Sequence, residues 1–275
     1  MPATESPYNA TLVSRQDLTP QLTVFRVKPD VTPYPFKPGQ FAVLGLQRNA
    51  ERIPEAAAEE PLDPAKADRL IRRAYSISSA SQEDGFLEFY LSLVTSGQLT
   101  PRLFNLKEQD RLFLGKGAAG HFTLDLVPGD KDILMVATGT GLAPYISMLR
   151  TISLGEGCPV RKITVLHGAA YSWDLGYRRE LEALTRSCPS LQYLPVISRP
   201  EEDKSWNGLT GRLTAWISNP QLESLSGFSL TPEQTHVFLC GNPGMIEDSE
   251  TLLTGRGYTV GTRKEPGSLH REKYW

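Results

Sequence analysis

The apolar residues of this chain change their spacing near residue 128, and that change constrains the fold more than any single motif. From Tyr8 to about Leu126 they fall in short runs broken by proline and glycine. Examples are Leu22-Thr23-Val24-Phe25-Arg26-Val27, Phe41-Ala42-Val43-Leu44-Gly45-Leu46 and the run from Leu87 to Val94. Several short strands with frequent turns predict an antiparallel barrel or sandwich. From Lys131 onward the order becomes strand, glycine turn, helix and strand, with strands expected at Asp132–Ala137, Ile163–His167, Gln192–Ile197 and His236–Cys240. Helical stretches between them imply right-handed crossovers in a parallel sheet. A chain of 275 residues has room for two domains. The expected division, at Pro128-Gly129-Asp130-Lys131, gives an antiparallel β-barrel domain over 1–129 and a parallel-sheet α/β domain over 130–275.

Several function classes fall away on composition. With 29 basic and 31 acidic side chains the formal charge is −2, so no overall field favours nucleic acid or anionic lipid. No run of about 18 apolar residues suggests a membrane span, and Met1–Arg15 has no basic leader with an apolar core, so a cytoplasmic protein is expected. Cys158, Cys188 and Cys240 are far apart, odd in number and without a CxxC pair. That spacing argues against a cysteine-ligated cluster or zinc ribbon and fits a reducing compartment. The histidines His121, His167, His236 and His270 are dispersed, and neither a metal site nor a covalent nucleophile is expected. One segment fits neither texture: Arg48 to Arg69, rich in Ala, Glu and Pro, reads as a solvated loop with one short helix, or else as a lid or docking element.

The chemistry-bearing motifs sit on the turns and strand ends. Arg73-Ala74-Tyr75-Ser76-Ile77-Ser78 alternates like a strand and carries a cation, an aromatic ring and a hydroxyl within four residues. An arginine fork can hold a pyrophosphate, a tyrosine can stack on a flat heterocycle, and a serine can hydrogen-bond a ring nitrogen. An ordinary half-buried strand is the alternative. Strict period two would put Ser76 on the face opposite Arg73 and Tyr75, so all three can serve one ligand only if the strand twists, bulges or ends there. In Gly97-Gln98-Leu99-Thr100-Pro101-Arg102-Leu103, a threonine N-cap and a proline at the first helical position predict a capped helix whose N-terminus could meet a phosphate. Ala137-Thr138-Gly139-Thr140-Gly141-Leu142-Ala143-Pro144 puts a GxG turn at the first strand–helix junction of the parallel sheet, where ligands bind. Cys240-Gly241-Asn242-Pro243-Gly244-Met245 repeats that geometry and places a thiol at the carboxyl edge, unless Cys240 is only a buried core residue.

Arg73-Ala74-Tyr75-Ser76, Gly139 to Pro144 and Cys240-Gly241-Asn242-Pro243, in this order and at these separations, resemble the bacterial ferredoxin–NADP reductases. Phe36-Lys37-Pro38-Gly39-Gln40-Phe41 and the terminal Lys273-Tyr274-Trp275 are similar to that family as well, so the likeness runs from about Tyr8 to Trp275. The resemblance implies that residues 1–129 bind FAD and 130–275 bind NADP, with the C-terminal tail returning to the flavin. Arg73 would hold the FAD pyrophosphate, Ala74 and Tyr75 would line the flavin, and Ser76 would reach toward its N5. Leu91, Gln98, Leu99 and Thr100 match FAD-lining positions, and Thr140 one near both flavin and nicotinamide. Thr140, Gly141, Cys240, Gly241, Asn242 and Pro243 would form the NADP turn. Tyr274 would cover the second flavin face and yield to nicotinamide, and Trp275 would lie against the adenine of FAD. Ser76, Cys240 and Tyr274 are the implied catalytic residues.

Two arginines favour NADP over NAD. Val196-Ile197-Ser198-Arg199 ends a strand with a hydroxyl and a guanidinium, and Leu209-Thr210-Gly211-Arg212 supplies a second guanidinium, a pair suited to a 2′-phosphate. Where related bacterial enzymes carry a third arginine, this chain has Ala170, which predicts weaker discrimination against NADH. The long acidic Glu51–Asp68 segment also departs from the short loop of those relatives. The implied partner is a ferredoxin or flavodoxin met by basic residues, with Arg102, Lys107, Arg111, Lys116, Arg263, Lys264 and Arg271 as candidates, and the chain is expected to be a monomer. A flavin reductase or electron-transfer subunit, and a nucleotide-binding regulatory module without turnover, are the other readings.

Overall fold

A computed structural model describes residues 6–61, 63–155, 157–262 and 265–273. Among them the chain forms two six-stranded sheets that follow one another in sequence. The first is built from β1 (Ala10–Thr19), β2 (Leu22–Pro29), β3 (Phe41–Gln47), β4 (Leu70–Ser76), β5 (Leu87–Ser92) and, after the one-turn helix α1 (Thr100–Leu103), β6 (Arg111–Leu114). Its order is β4-β3-β6-β1-β2-β5 and its ladders are antiparallel. The outer strands β4 and β5 approach each other where Ile77 bridges Phe89 and the Ser78 amide donates to the Glu88 carbonyl at 2.8 Å.

The second sheet runs β7 (Asp132–Thr138), α2 (Ala143–Gly155), β8 (Ile163–Ala169), α3 (Arg178–Ser187), β9 (Leu191–Ile197) and β10 (Leu209–Thr210). Then come α4 (Leu213–Ile217), α5 (Gln221–Ser226), β11 (Thr235–Gly241), α6 (Pro243–Thr254) and β12 (Leu269–Lys273). Its order is β10-β9-β8-β7-β11-β12, with parallel pairing throughout. The chain therefore steps outward from β7 to β10 and then returns to the other side of β7. The gap between the carboxyl ends of β7 and β11 is the switch point at which such sheets bind ligands.

Period-two burial explains both the sheets and their junction. On β7, Ile133, Met135 and Ala137 pack with Tyr145, Ile146 and Leu149 of α2, while Leu134 and Val136 face Leu213, Ile217, Ile246 and Leu253 on the other side. On β2, Phe25 and Val27 point into the first sheet's own core, whereas Leu22 and Val24 join the core of the second sheet together with Tyr90 and Phe122. Both faces of β2 and β5 are thus covered, and each such fully buried side chain contributes about 1.5–3 kcal/mol relative to exposure. One consequence is a continuous apolar junction between the halves.

Two expectations need correction. Cys158 and Cys188 form a disulfide across a separation of 30 residues, because the ends of α2 and α3 reach the same edge of the sheet, and Cys240 takes no part in it. The threonine of the 97–103 motif is no side-chain cap. Leu99 holds the cap position of α1, and the Thr100 hydroxyl instead pairs with the Val94 backbone, accepting from its amide at 3.0 Å and donating to its carbonyl at 3.1 Å. The Arg48–Arg69 segment matches the expected solvated loop with one short helix, the 3-10 turn Pro64–Lys66, and it is also anchored: the Ile53 amide donates to Pro101 and the Ala57 amide to Thr95. No helix of the described residues is long and apolar enough to cross a membrane.

Candidate active site

A largely apolar cleft of about 600 Å³ opens where the two sheets meet. Arg73, Ala74, Tyr75 and Ser76 of β4 and Leu91 of β5 line it, as do Gln98, Leu99 and Thr100 from the turn into α1. The second sheet contributes Thr140, Glu272 and Lys273. Every described residue expected to touch FAD is therefore on one surface, while Tyr274 and Trp275 lie outside the described residues. The conflict over Ser76 resolves at the strand's end. β4 stops at Ser76, opposite Phe41, and Ile77 turns away to bridge Phe89, so the last residue of the strand reaches the cleft beside Arg73 and Tyr75.

Glu272 is the residue that sequence reasoning missed. Its carboxylate accepts the Ser76 hydroxyl at 2.9 Å, across a separation of 196 residues. It stands on β12, opposite Cys240 in the parallel register. Burial pushes its carboxyl up to about 7, opposed only in part by the Ser76 bond. Cys240 itself has no exposed surface and sits between Ala137 and Glu272 on neighbouring strands. Half-buried Tyr75 has its phenol pushed up by desolvation, with Arg73 opposing. Tyr90, on the cleft wall, meets Tyr177 edge to face at 5.2 Å.

The switch point brings two glycine turns into contact. A Cβ on Gly141 would overlap the Cys240 carbonyl. Gly241 has φ +127°, and its Cβ would strike Thr138. The Thr138 hydroxyl accepts the Asn242 amide at 2.8 Å, and the Asn242 side chain caps α6, which opens with Pro243, by accepting from Met245 at 3.2 Å. The two turns therefore pack backbone to backbone at the carboxyl ends of β7 and β11.

Farther along the same edge, β10 pairs with β9 so that Leu209 faces Val196 and Thr210 faces Ile197. Continuing that register brings Ser198 and Arg199 level with Gly211 and Arg212, all four exposed. The Arg199 guanidinium donates to the Tyr171 hydroxyl at 3.0 Å, and Tyr171 in turn donates to Glu202 at 2.7 Å. Tyr171 also stacks on Trp173 at 4.6 Å. Its place beside Arg199 follows from the Arg199 amide bonding the Ala170 carbonyl, a contact between loops that no local pattern announces.

The basic residues expected to meet a protein partner divide. Lys107 and Lys116 are exposed. Arg111 is paired with Asp30, and Arg271 with Glu250. Arg102 is only 4% exposed and ion-paired with Glu59, so it belongs to no docking face. Arg263 and Lys264 lie outside the described residues. His236 and His270, remote in sequence, converge with their ring nitrogens 3.0 Å apart on β11 and β12.

An antiparallel sheet is thus followed by a parallel one, with a cleft at their junction and a glycine-lined switch point beside it. Residues 135–251 match the oxidoreductase NAD-binding domain family. The flavodoxin/ferredoxin–NADP reductase of Escherichia coli (strain K12) is 37% identical over 245 residues, covering 88% of each chain. That of Buchnera aphidicola subsp. Baizongia pistaciae is 34% identical over 243 residues, again 88% of each. Among solved structures, the ferredoxin NADP+ reductase of Neisseria gonorrhoeae with bound FAD and NADP superposes with a TM-score of 0.79 at 27% identity, over 98% of this chain and 100% of that one. The chain belongs to the bacterial-type flavodoxin/ferredoxin–NADP reductase family.

Proposed function

We propose that the chain passes electrons between NADPH and a ferredoxin or flavodoxin through FAD seated in the cleft between the sheets. The observation that carries this reading is the convergence of Arg73, Tyr75 and Ser76 with Glu272 around one mostly apolar slot. The donor set suits the cofactor: an exposed Arg73 guanidinium for a pyrophosphate, mostly apolar walls for the ring system, and the Ser76–Glu272 hydroxyl–carboxyl pair beside them. On this reading residues 1–129 are the FAD-binding barrel domain, supported by the isolated Ile77–Phe89 bridge between its outer strands, and 130–275 are the NADP-binding domain. Bound FAD supplies two-electron exchange with the nicotinamide and one-electron exchange with the protein partner.

The chain's own groups set alignment and proton position. Arg73 holds the pyrophosphate, and Tyr75, Leu91, Leu99 and Thr100 hold the ring system. Ala74 and Gln98 complete the lining around it. Thr140, Gly141, Gly241, Asn242 and Pro243 admit the nicotinamide end at the switch point beside Cys240, while Ser198, Arg199 and Arg212 take the 2′-phosphate. Ser76 Oγ directs its proton to a Glu272 carboxyl that is part protonated and part ionised near neutral pH, so a proton can be held or released at that oxygen. Tyr274, by the resemblance, would cover the second flavin face and yield to nicotinamide, and Trp275 would lie against the adenine; both lie outside the described residues.

The test is an anaerobic visible spectrum of the purified protein, followed by NADPH or NADH and then by ferredoxin or flavodoxin. A flavin spectrum bleached faster by NADPH and restored by the carrier is expected. A colourless protein that takes up no FAD would sink the reading.

A further inference from the structure

Arg102 is a guanidinium buried behind the cleft wall, and its partners connect three separate pieces of chain. One terminal nitrogen donates to the Gln98 carbonyl at 2.6 Å and to Glu59 Oε1 at 3.0 Å, the other to the Arg48 carbonyl at 2.6 Å and to Glu59 Oε2 at 2.8 Å. Gln98 lines the cleft, Arg48 follows β3, and Glu59 lies in the long segment between β3 and β4. The same segment reaches the back of the cleft turn twice more, Ala57 to Thr95 at 2.9 Å and Ile53 to Pro101 at 3.1 Å. Residues 94–100 thus have the cofactor slot on one side and this segment on the other.

We infer that residues 48–69 act as a latch for FAD, with Glu59 and Arg102 as positioning residues that hold the Val94–Thr100 wall against the cofactor. This rests on the placement of FAD proposed above. The physical ground is that a two-pronged guanidinium–carboxylate pair with one partner almost wholly withdrawn from water is directional and costly to break, whereas a wall made only of a turn and one helical turn is not rigid by itself. The Arg102 bonds hold the Glu59 carboxyl below its usual range despite some desolvation, so the pair is intact at neutral pH. Loss of the Glu59 charge leaves the Arg102 cation buried without a counterion. The relief is for Arg102 to swing outward, and Gln98 moves with it.

The test compares FAD release from the full-length, FAD-loaded chain, read as recovery of flavin fluorescence after dilution, with the unfolding midpoint of the FAD-free chain as a second readout. Glu59→Gln is expected to speed release about tenfold or more, the effect of losing one charged hydrogen-bonded pair. Asp63→Asn is the control. Asp63 caps the exposed 3-10 turn of the same segment through the Ala65 amide and touches no part of the wall, so release at the wild-type rate is expected. If Glu59→Gln does not fold, Arg102→Lys keeps the charge but loses the fork, and a severalfold faster release is expected. A lowered unfolding midpoint with FAD release unchanged overturns the latch and makes the pair merely structural. So does an Asp63→Asn effect as large as that of Glu59→Gln. A wild-type chain that binds no FAD overturns the cofactor placement and the latch together, while one that binds FAD and is indifferent to Glu59→Gln overturns the latch alone.

Discussion

The two ends of the proposed dinucleotide surface are built in opposite ways. At the junction of the sheets, Ser76 and Glu272 are held by strands from both halves, and the position of those halves is itself fixed by buried charge. Glu88 of β5, 2% exposed, is ion-paired with Arg26 and Arg150 and accepts the Tyr177 hydroxyl at 2.8 Å. Arg150 of α2 continues to Glu180 of α3 at 2.6 Å. At the far edge, Arg199 and Arg212 stand in water, with Tyr171 as the support of Arg199. Geometry at the reacting end is therefore a property of packing between two sheets, whereas discrimination at the nucleotide end depends on screened charge. Substitutions should cost stability and rate at the first, and only affinity at the second.

The strongest way to break that contrast is Arg150→Ala. Burial alone would raise the Glu88 carboxyl, but Arg150, Arg26 and Tyr177 carry it below its usual range. Removing Arg150 leaves the buried Glu88 carboxylate with the half-exposed Arg26 as its remaining counterion and takes the partner from Glu180, and a loss of roughly 3 kcal/mol is expected in denaturant titration. If the loss is below about 1 kcal/mol, the typical scale of a surface pair, the sheets are not held by this network.

Glu272→Gln tests the reacting end itself. The rate of flavin reduction by NADPH in stopped flow should fall about ten- to a hundredfold with the KM for NADPH little changed, because Ser76 loses the group that takes its proton. Stability should respond in the opposite sense. The folded carboxyl titrates at about 7 against 4.5 for a free glutamate, so the native state binds the proton more tightly. That stability is present below the unfolded value and lost as pH rises through about 7. The glutamine variant should match the wild type near pH 4 and exceed it at pH 8, by up to roughly 3 kcal/mol in the FAD-free chain. Identical pH profiles would mean that Glu272 is not buried against Ser76.

This asymmetry also explains what the sequence could disclose. Residues 73–76 and 139–144 are legible because a strand end and a glycine turn leave a local pattern, and the short apolar runs of β2 and β7 with their flanking turns announce both sheets. β12 was not readable: Leu269-His270-Arg271-Glu272-Lys273 has one aliphatic residue, and it becomes a strand only because β11 offers it a parallel edge. Glu272 was lost with it. Arg102 looked like a surface cation because its counterion lies 43 residues away on a segment that composition marks as solvated. Cys158 and Cys188 carry no pairing signal, since the crossover of α2 and α3, not their spacing, sets them side by side.

At the exposed end, Arg199→Ala should raise the KM for NADPH about tenfold while leaving that for NADH and the rate of flavin reduction nearly unchanged, as measured in steady-state diaphorase assays. An equal loss with both nucleotides would place Arg199 on the shared pyrophosphate and not on the 2′-phosphate.

The smallest effect is expected from adding charge. Ala170 sits at the carboxyl end of β8, and its carbonyl accepts the Arg199 amide at 3.1 Å, so Ala170→Arg puts a third guanidinium next to the proposed phosphate site. Opposite charge gathered there favours a dianion, but the new side chain stands in solvent where screening is strong, and it also repels Arg199 until a phosphate arrives. Those opposed contributions leave a gain of about threefold in the ratio of kcat/KM for NADPH over NADH, well below the loss from Arg199→Ala. The gain should shrink as ionic strength rises. A salt-independent gain of a hundredfold would mean that this edge is as preorganised as the Ser76–Glu272 end, and the contrast between the two would collapse.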